Sequence, residues 1–305
     1  MMLLLLQFQK YFPCASYIFD KDYSIFPTVV ALGGQHIDLV AEGGRGAKMA
    51  PVRRYLQSGH LRGLRRWLEV LLCAGEGGRP LSATEREEVY SAIQQVHVLG
   101  PSHWRLGQLY SILSARNADL ASRLAPMLTE GTTRQMSRAS GPLQPTSTTT
   151  RMRSQCRTLL AWRRGGLLEE PALAGPFMEY AFYCIERKLD GSTPAIIYVE
   201  EAWYMLQNVA FAARLEGWQR TLRKKRAFIW YASQAVEEFQ SMPSLSAFLS
   251  GLSSKVFLVG ANGLGSKFAE TLQAVFDLND AQIDLLRTAL PKRDYLIVKA
   301  TGVGW

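Results

Sequence analysis

Two adjacent carboxylates, Glu200 and Glu201, directly follow the uncharged run Ala195–Val199. An apolar run of this length is typical of a strand that is buried on both faces of a parallel sheet. Two neighbouring acids at its end repel each other and favour a bound cation. Mg²⁺ is the obvious candidate, because it takes carboxylate oxygens directly or through water. The alternative is an exposed acidic strand end that caps the next helix.

Polar residues also follow two other predicted strands. Asp20 ends the stretch "SYIFD", and Gln234 follows "FIWYAS". Because ligands of open α/β sheets bind at the carboxyl ends of the strands, we expect both residues to lie at the same edge as the two glutamates. An apolar strand that ends in two acids is the Walker B pattern of P-loop NTPases, in which the first acid helps to hold Mg²⁺ and the second polarises the attacking water. The pattern therefore predicts binding of ATP with Mg²⁺.

Strands that alternate with helices around these residues predict an α/β fold with a mostly parallel sheet. We interpret "TVVAL" and "HIDLV", on either side of Gly33 and Gly34, as two strands. The stretch "PFMEYAFYCIERKL" predicts a helix with Pro176 in its first turn. After the two acids we expect a helix from about 202 to 222, then the strands "AFIWYASQ", "KVFLVG" and "DYLIVKA" with two helices before the last one.

Residues 52–130 interrupt this alternation with a helical segment. Apolar residues from Leu61 to Leu72 recur at helical spacing, and Ser82 followed by Glu85 forms a capping-box pattern. We interpret the segment as an inserted packing subdomain, the alternative being a dedicated recognition module. The core itself is then divided into a first portion over 1–51 and a second portion, with the two acids, over 166–305.

Residues 131–165 form an irregular, basic segment. The chain carries a formal net charge of +9, and residues 131–168 contain seven arginines, no lysine and no acid, which leaves about +2 for the rest. This composition predicts a disordered or linker segment. DNA binding depends on neutralising phosphates, so the small charge elsewhere does not support a nucleic-acid partner. We hypothesise that two compensating frameshifts replaced acidic, aromatic sequence here.

Three separated stretches carry a family resemblance: "IIYVEEAWYML", "LRKKRAFIWYASQAVEEF" and "FDLNDAQIDLLRTALPKRDYLIV". In this order they resemble the ATPases of type IV secretion and conjugal DNA transfer, especially the TrbE-like branch. "QFQKYFPCASYIFDKDYS" and "GGLLEEPALAGPFMEYAFYCIERKLDG" also match. The resemblance covers about residues 1–130 and 165–299. It implies a P-loop NTPase fold of the RecA or FtsK/HerA type, and an ATP-hydrolysing motor that powers pilus assembly or substrate transfer.

The resemblance also implies residue roles and partners. Glu200 takes the Mg²⁺ position, Glu201 is the catalytic glutamate, and Gln234 senses the γ-phosphate. Arg223, Arg226 and Arg293 lie at basic motifs of the family, where one arginine would complete a neighbour's site; the alternative is a solvated basic face. The intact protein would form a homo-oligomeric ring. It would lie in the cytoplasm against type IV secretion channel components at the inner membrane.

The family's phosphate-binding loop, G-x-x-x-x-G-K-[ST], has no match in the chain. The nearest imitation, "GANGLGSK" at 260–267, has serine before lysine, and we reject it. We therefore expect an N-terminally truncated and inactive ATPase fragment. The alternative is a non-catalytic assembly module that docks to the channel or to full-length subunits. No run of the sequence predicts a membrane span, and four scattered cysteines predict neither a metal cluster nor a disulfide framework.

Overall fold

The computed structural model divides into two compact units, residues 1–198 and 199–305. The structure describes residues 2–20, 23–38, 49–74, 79–129, 158–163, 171–202, 209–234, 236–241, 245–259, 264–299 and 302–304. The two units are treated separately below. Among the described residues, no helix combines the length and the apolar character that crossing a bilayer requires.

The first unit combines a sheet with a group of helices. Its helices are α1 (Met2–Phe8), α2 (Phe26–Ala31), α3 (Pro51–Gln57), α4 (Leu61–Ala74), α5 (Ala83–Val98), α6 (Leu106–Ser114), α7 (Ala118–Leu124), α8 (Pro126–Thr129) and α9 (Pro171–Glu186). Its strands are β1 (Ala15–Asp20), β2 (Gln35–Asp38), β3 (Thr158–Arg163) and β4 (Ala195–Val199), of which the last residue of β4 begins the second unit.

The strands of the first unit lie in the order β2-β3-β1-β4. β3 runs parallel to both of its neighbours: Ala15 pairs with Thr158 at the start of β1, and Gln35 pairs with Leu160 at the start of β2. The Ala15 N–H donates to the Pro194 carbonyl at 2.9 Å, just before β4. All residues of β1 and β4 are buried, as their unbroken apolar sequences predict for strands covered on both faces. The predicted parallel α/β sheet is confirmed.

The stretch "TVVAL" is a helix, and its prediction as a strand was wrong. Most of it lies in α2, which has Pro27 in its first turn, a position that suits the fixed φ of proline. Val29 is fully buried while Val30 is 51% exposed, so the helix is amphipathic. Gly33, at φ +72°, and Gly34 close its C-terminal end by donating to Val30 and Val29. Helix capping and burial outweigh the strand preference of the valines.

A stretch within the segment predicted to be irregular is a strand. Thr158–Arg163 form β3, which lies between β1 and β2 and pairs with both of them. The signal was present in the apolar run "TLLAW", which the surrounding arginines and threonines concealed. Residues 130–157 and 164–170 lie outside the described residues. The frameshift hypothesis and the four proposed divisions of the chain remain predictions.

Helix α9 begins earlier than predicted, at Pro171, and Pro176 lies inside it. A proline here removes one backbone hydrogen bond but does not end the helix, because the following turns are fixed by packing. Phe177 and Phe182 are fully buried, and their rings lie 6.5 and 5.5 Å from the ring of Phe19 on β1. Core packing between α9 and the sheet therefore keeps the helix intact.

The helical segment packs on α9 through α4. Trp67 is 1% exposed, and its indole N–H donates to the Pro176 carbonyl at 2.9 Å. The predicted helical spacing in α4 is confirmed, since Leu64, Trp67, Leu68, Leu71 and Leu72 form its buried stripe.

The predicted capping box at the start of α5 is also confirmed. Ser82 Oγ accepts from the Glu85 N–H at 3.2 Å, and Glu85 Oε2 accepts from the Ser82 N–H at 2.7 Å. Arg79 binds both oxygens of Glu85, at 2.8 and 2.6 Å. This hydrogen bonding, first from Arg79 and then from the Ser82 backbone, lowers the pKa of Glu85 to about 2.

The second unit has its own core. It contains the helices α10 (Val209–Leu222), α11 (Leu245–Ser250), α12 (Ser266–Phe276) and α13 (Asp280–Thr288), and the strands β5 (Ala227–Tyr231), β6 (Ser254–Leu258), β7 (Tyr295–Lys299) and β8 (Gly302–Gly304). β6, β7 and β8 form an antiparallel sheet in that order. Buried residues of α12, α13 and β7, among them Leu272, Ile283 and Leu296, pack into one cluster.

Replacing Trp67 with phenylalanine should destabilise the first unit by about 2 kcal/mol, since it removes a buried hydrogen bond and leaves a small cavity. Trp104→Phe is the matched control: Trp104 is half-buried, and its indole donates to His97 at 3.3 Å. Urea unfolding followed by circular dichroism measures both variants. An equal loss in the two variants would contradict the role given to the Trp67–Pro176 contact.

The carboxylate of Glu85 should make stability depend on pH in acid. Its folded pKa of about 2 lies below the unfolded value of 4.5, so its contribution is complete above pH 4.5 and disappears as the pH falls towards 2. Melting temperatures of Glu85→Gln should therefore depend less on pH across this window than those of the unmodified chain. Glu87→Gln, an exposed residue of the same helix, is the control and should leave the slope unchanged.

Candidate functional site

The two glutamates lie in a tight turn directly after the buried strand β4. The strand itself is no more than 5% exposed at any residue, and its last residue, Val199, is fully buried. Glu200 is half-buried and Glu201 is 9% exposed. Glu201 has φ +46°, a left-handed conformation that residues with a side chain rarely adopt. The turn therefore presents two carboxylates at a strand end at the cost of local backbone strain.

Main-chain hydrogen bonds fix this turn to the end of β5 within the second unit. The Ala232 N–H donates to the Val199 carbonyl at 3.0 Å, and the Ala202 N–H donates to the Ala232 carbonyl at 3.1 Å. The residues on either side of the two acids are thus bound to one residue, Ala232. Gln234, two residues further on, has an exposed side chain. The geometry brings the chain segments of Glu200, Glu201 and Gln234 together at neighbouring strand ends.

Asp20 ends β1 in the first unit and is fully buried. Its Oδ1 accepts from the backbone N–H of Ser24 at 3.2 Å and from the Ser24 hydroxyl at 2.8 Å. Its Oδ2 lies 3.1 Å from His36 Nε2 and accepts from the Ile25 N–H at 3.4 Å. The carboxylate therefore holds the turn that leads into α2 and joins it to β2. Its predicted contact with nucleotide stays a prediction.

His36 is a buried partner that the sequence did not reveal. Its side chain is 3% exposed, the ring of Tyr23 stacks on it at 5.3 Å, and Phe26 meets it edge-on at 5.2 Å. The only sequence signal was a histidine in the short strand after Gly34. A histidine and an aspartate 16 positions apart are joined only by the return of the chain from β1 to β2.

The three predicted arginines are exposed residues of the second unit. Arg223 begins a short 3-10 turn before β5, and Arg226, at φ +52°, ends it. Gln234 follows the opposite end of β5, and five strand residues span roughly 17 Å. Arg293 precedes β7, where its N–H donates to the Leu290 carbonyl. Arg223 and Arg226 are therefore not brought to the Gln234 end of their own strand.

The described residues of the chain contain no group of three or more His, Cys, Asp or Glu residues that could hold a metal ion. Trp203 of the "EEAW" stretch and residues 260–263 of the rejected "GANGLGSK" stretch lie outside the described residues. Lys267 of that stretch is an exposed residue in the first turn of α12.

The strain at Glu201 can be separated from the loss of its carboxylate. Glu201→Ala and Glu201→Gly both remove the carboxylate, but only alanine keeps a Cβ at φ +46°. The glycine variant should therefore be more stable than the alanine variant by about 1 kcal/mol. Urea unfolding of the two variants measures this difference. If alanine equals or exceeds glycine, the turn is not strained as described.

Two curated proteins match the chain in sequence. A probable conjugal transfer protein TrbE of Sinorhizobium fredii (strain NBRC 101917 / NGR234) is 24% identical over 324 residues, which cover 97% of this chain and 43% of the relative. The conjugal transfer protein TrbE of Rhizobium radiobacter is 28% identical over 127 residues, 42% of this chain and 15% of the relative. The chain thus spans less than half the length of either relative. No model of a known protein family matches it.

Two solved structures resemble the fold. VirB4 of Thermoanaerobacter pseudethanolicus superposes with a TM-score of 0.67 at 21% identity, over 99% of this chain and 83% of that one. The plasmid coupling protein TrwB, in complex with the non-hydrolysable ATP analogue ADPNP, superposes with a TM-score of 0.51 at 10% identity, over 94% and 83%. The fold is that of the P-loop ATPases, as predicted. With the two sequence relatives, it assigns the chain to a family: the chain belongs to the conjugal transfer and type IV secretion ATPases that include TrbE.

Proposed function

We propose that this chain is the nucleotide-binding portion of a motor subunit for conjugal transfer or type IV secretion. One observation carries the proposal: two carboxylates follow a fully buried strand, in a turn whose two flanking residues are both bound to Ala232 at the end of the next strand. That position, at the carboxyl end of a core strand, is where α/β sheets bind their ligands. The conjugal transfer relatives and the ATP analogue bound to TrwB support ATP as the ligand.

The residues at this turn fit Mg²⁺ and a triphosphate. Mg²⁺ prefers oxygen ligands and is usually held by one or two carboxylates together with phosphate oxygens and waters. Glu200 would contribute such a carboxylate. Bound Mg²⁺ would neutralise the negative charge on the phosphates.

Glu201 and Gln234 would then supply the protein's own chemistry. The nearly buried carboxylate of Glu201 would accept a hydrogen bond from the attacking water and orient it. The exposed amide of Gln234, on the neighbouring segment, would donate to the terminal phosphate. Asp20 would act indirectly, since its carboxylate already holds the turn into α2. The strained backbone at Glu201 is consistent with a functional position, where such strain commonly persists.

The phosphates need donors that the sequence does not contain in a recognisable form, because no G-x-x-x-x-G-K-[ST] loop is present. We therefore expect the chain by itself to turn over ATP slowly or not at all. This observation also favours a second candidate function, a non-catalytic assembly module that docks to the secretion channel or to full-length subunits.

The arrangement of the arginines supports action between subunits. Arg223 and Arg226 lie at the end of β5 opposite to Gln234, so they fit a role in a neighbouring subunit's site better than in their own. We propose a ring of subunits on the cytoplasmic side of the inner membrane, in contact with the secretion channel. Arg293 is a third candidate for this role.

Binding of Mg·ATP to the purified chain tests the proposal. We expect Mg·ATP to raise the melting temperature, Glu200→Gln to weaken this effect, and Glu201→Gln to retain binding while abolishing any phosphate release. At a hundredfold excess over Kd, binding would stabilise the chain by about 2.7 kcal/mol. Glu270→Gln, an exposed acid of α12, is the control and should behave as the unmodified chain. Failure of saturating Mg·ATP to bind would instead favour the assembly module.

A further inference from the structure

Strand β5 is the last strand of its sheet among the described residues of the chain. Its inner side faces the turn of the two glutamates, which is bound to Ala232. Its five residues, "AFIWY", include no charge, proline or glycine, the features that normally protect an edge strand from pairing. We propose that the outer edge of β5 pairs, antiparallel, with β5 of a second copy of this chain. This inference does not rest on the proposed ATPase function.

The side chains of β5 are those of an interior strand, yet they are incompletely covered. Phe228 is 41% exposed, and its ring meets that of Trp230 edge-on at 6.2 Å, on the same face of the strand. Tyr231 points to the other face, where its ring packs against Phe248 of α11 at 4.9 Å. One face of β5 is thus packed within its own unit, while an aromatic pair on the other face remains partly open. A second strand beside β5 would extend that aromatic surface.

A two-fold axis through Ile229 gives the most favourable register. Phe228 then lies opposite Trp230 of the second copy, and Ala227 lies opposite Tyr231. Cross-strand aromatic pairs stabilise antiparallel strands more than pairs of small residues do. An interface of this kind is isologous, since the same edge serves both copies.

Charge favours the antiparallel arrangement. Four consecutive basic residues, Arg223–Arg226, precede β5, whereas the acids Glu237 and Glu238 follow it, with Glu237 exposed. Antiparallel pairing places the basic turn of each copy beside the acidic turn of the other. Parallel pairing would place like charges together, which costs several kcal/mol. The edge is therefore complementary to itself only in the antiparallel direction.

Sedimentation velocity across a concentration series tests the pairing. The unmodified chain should pass from monomer to dimer as its concentration rises. Arg223→Glu and Glu237→Lys should each raise the dimer Kd about tenfold, because each places like charges together. An equimolar mixture of the two variants should restore association, since it pairs each altered charge with its opposite. A chain that stays monomeric, or a dimer insensitive to both substitutions, would overturn the inference.

A cysteine at the axis gives an independent measurement. In the proposed register, Ile229→Cys places two thiols directly opposite each other across the strands, with Cβ atoms about 5 Å apart. Oxidation should give a dimer linked through 229 in both copies, as identified by peptide mapping. Val256→Cys, a site on β6 that is 52% exposed, is the control and should not link in this way. Equal linkage at the two sites, or none at 229, would contradict the pairing.

Discussion

The candidate site depends on two backbone hydrogen bonds that meet at Ala232. They hold the residue before and the residue after the two glutamates, so the turn is fixed by main-chain atoms. Backbone amides and carbonyls that are paired in this way keep their place whatever side chain the turn carries. The chain can therefore present two neighbouring acids at a strand end without using either carboxylate as the anchor of the turn. The left-handed backbone at Glu201 belongs to the same arrangement.

Asp20 shows the opposite solution at the end of another strand. Its carboxylate is fully buried, and buried charge is tolerated when it accepts several hydrogen bonds. The Ser24 hydroxyl, the Ser24 and Ile25 amides and His36 provide these contacts. This carboxylate organises the turn into α2 and its connection to β2. Of the three strand ends predicted to be polar, one is thus structural in its visible contacts, and the other two present side chains at the surface or close to it.

β5 contributes to both proposals because its two ends and its two edges differ. Its carboxyl end is bound to the glutamate turn, and its amino end follows the basic turn Arg223–Arg226. The same arginines are candidates for completing a neighbour's nucleotide site and for meeting the acidic turn of a second β5. Both roles are contacts between subunits, because the length of the strand keeps this basic turn away from Gln234 in the same chain. The two proposals predict different variants to fail, so they can be separated.

The sequence alone determined the elements whose pattern is local. The buried strand before the two acids, the helical stripe of α4 and the capping box of Ser82 and Glu85 all depend on residues within a few positions of one another, and all three were predicted. Local pattern failed for "TVVAL", for "TLLAW" and for Pro176. There, a glycine cap, pairing with two distant strands and core packing of α9 decided the outcome. Only tertiary structure could join Asp20 to His36 and the acid turn to Ala232, because these contacts form between segments that the chain brings together only when the sheet assembles.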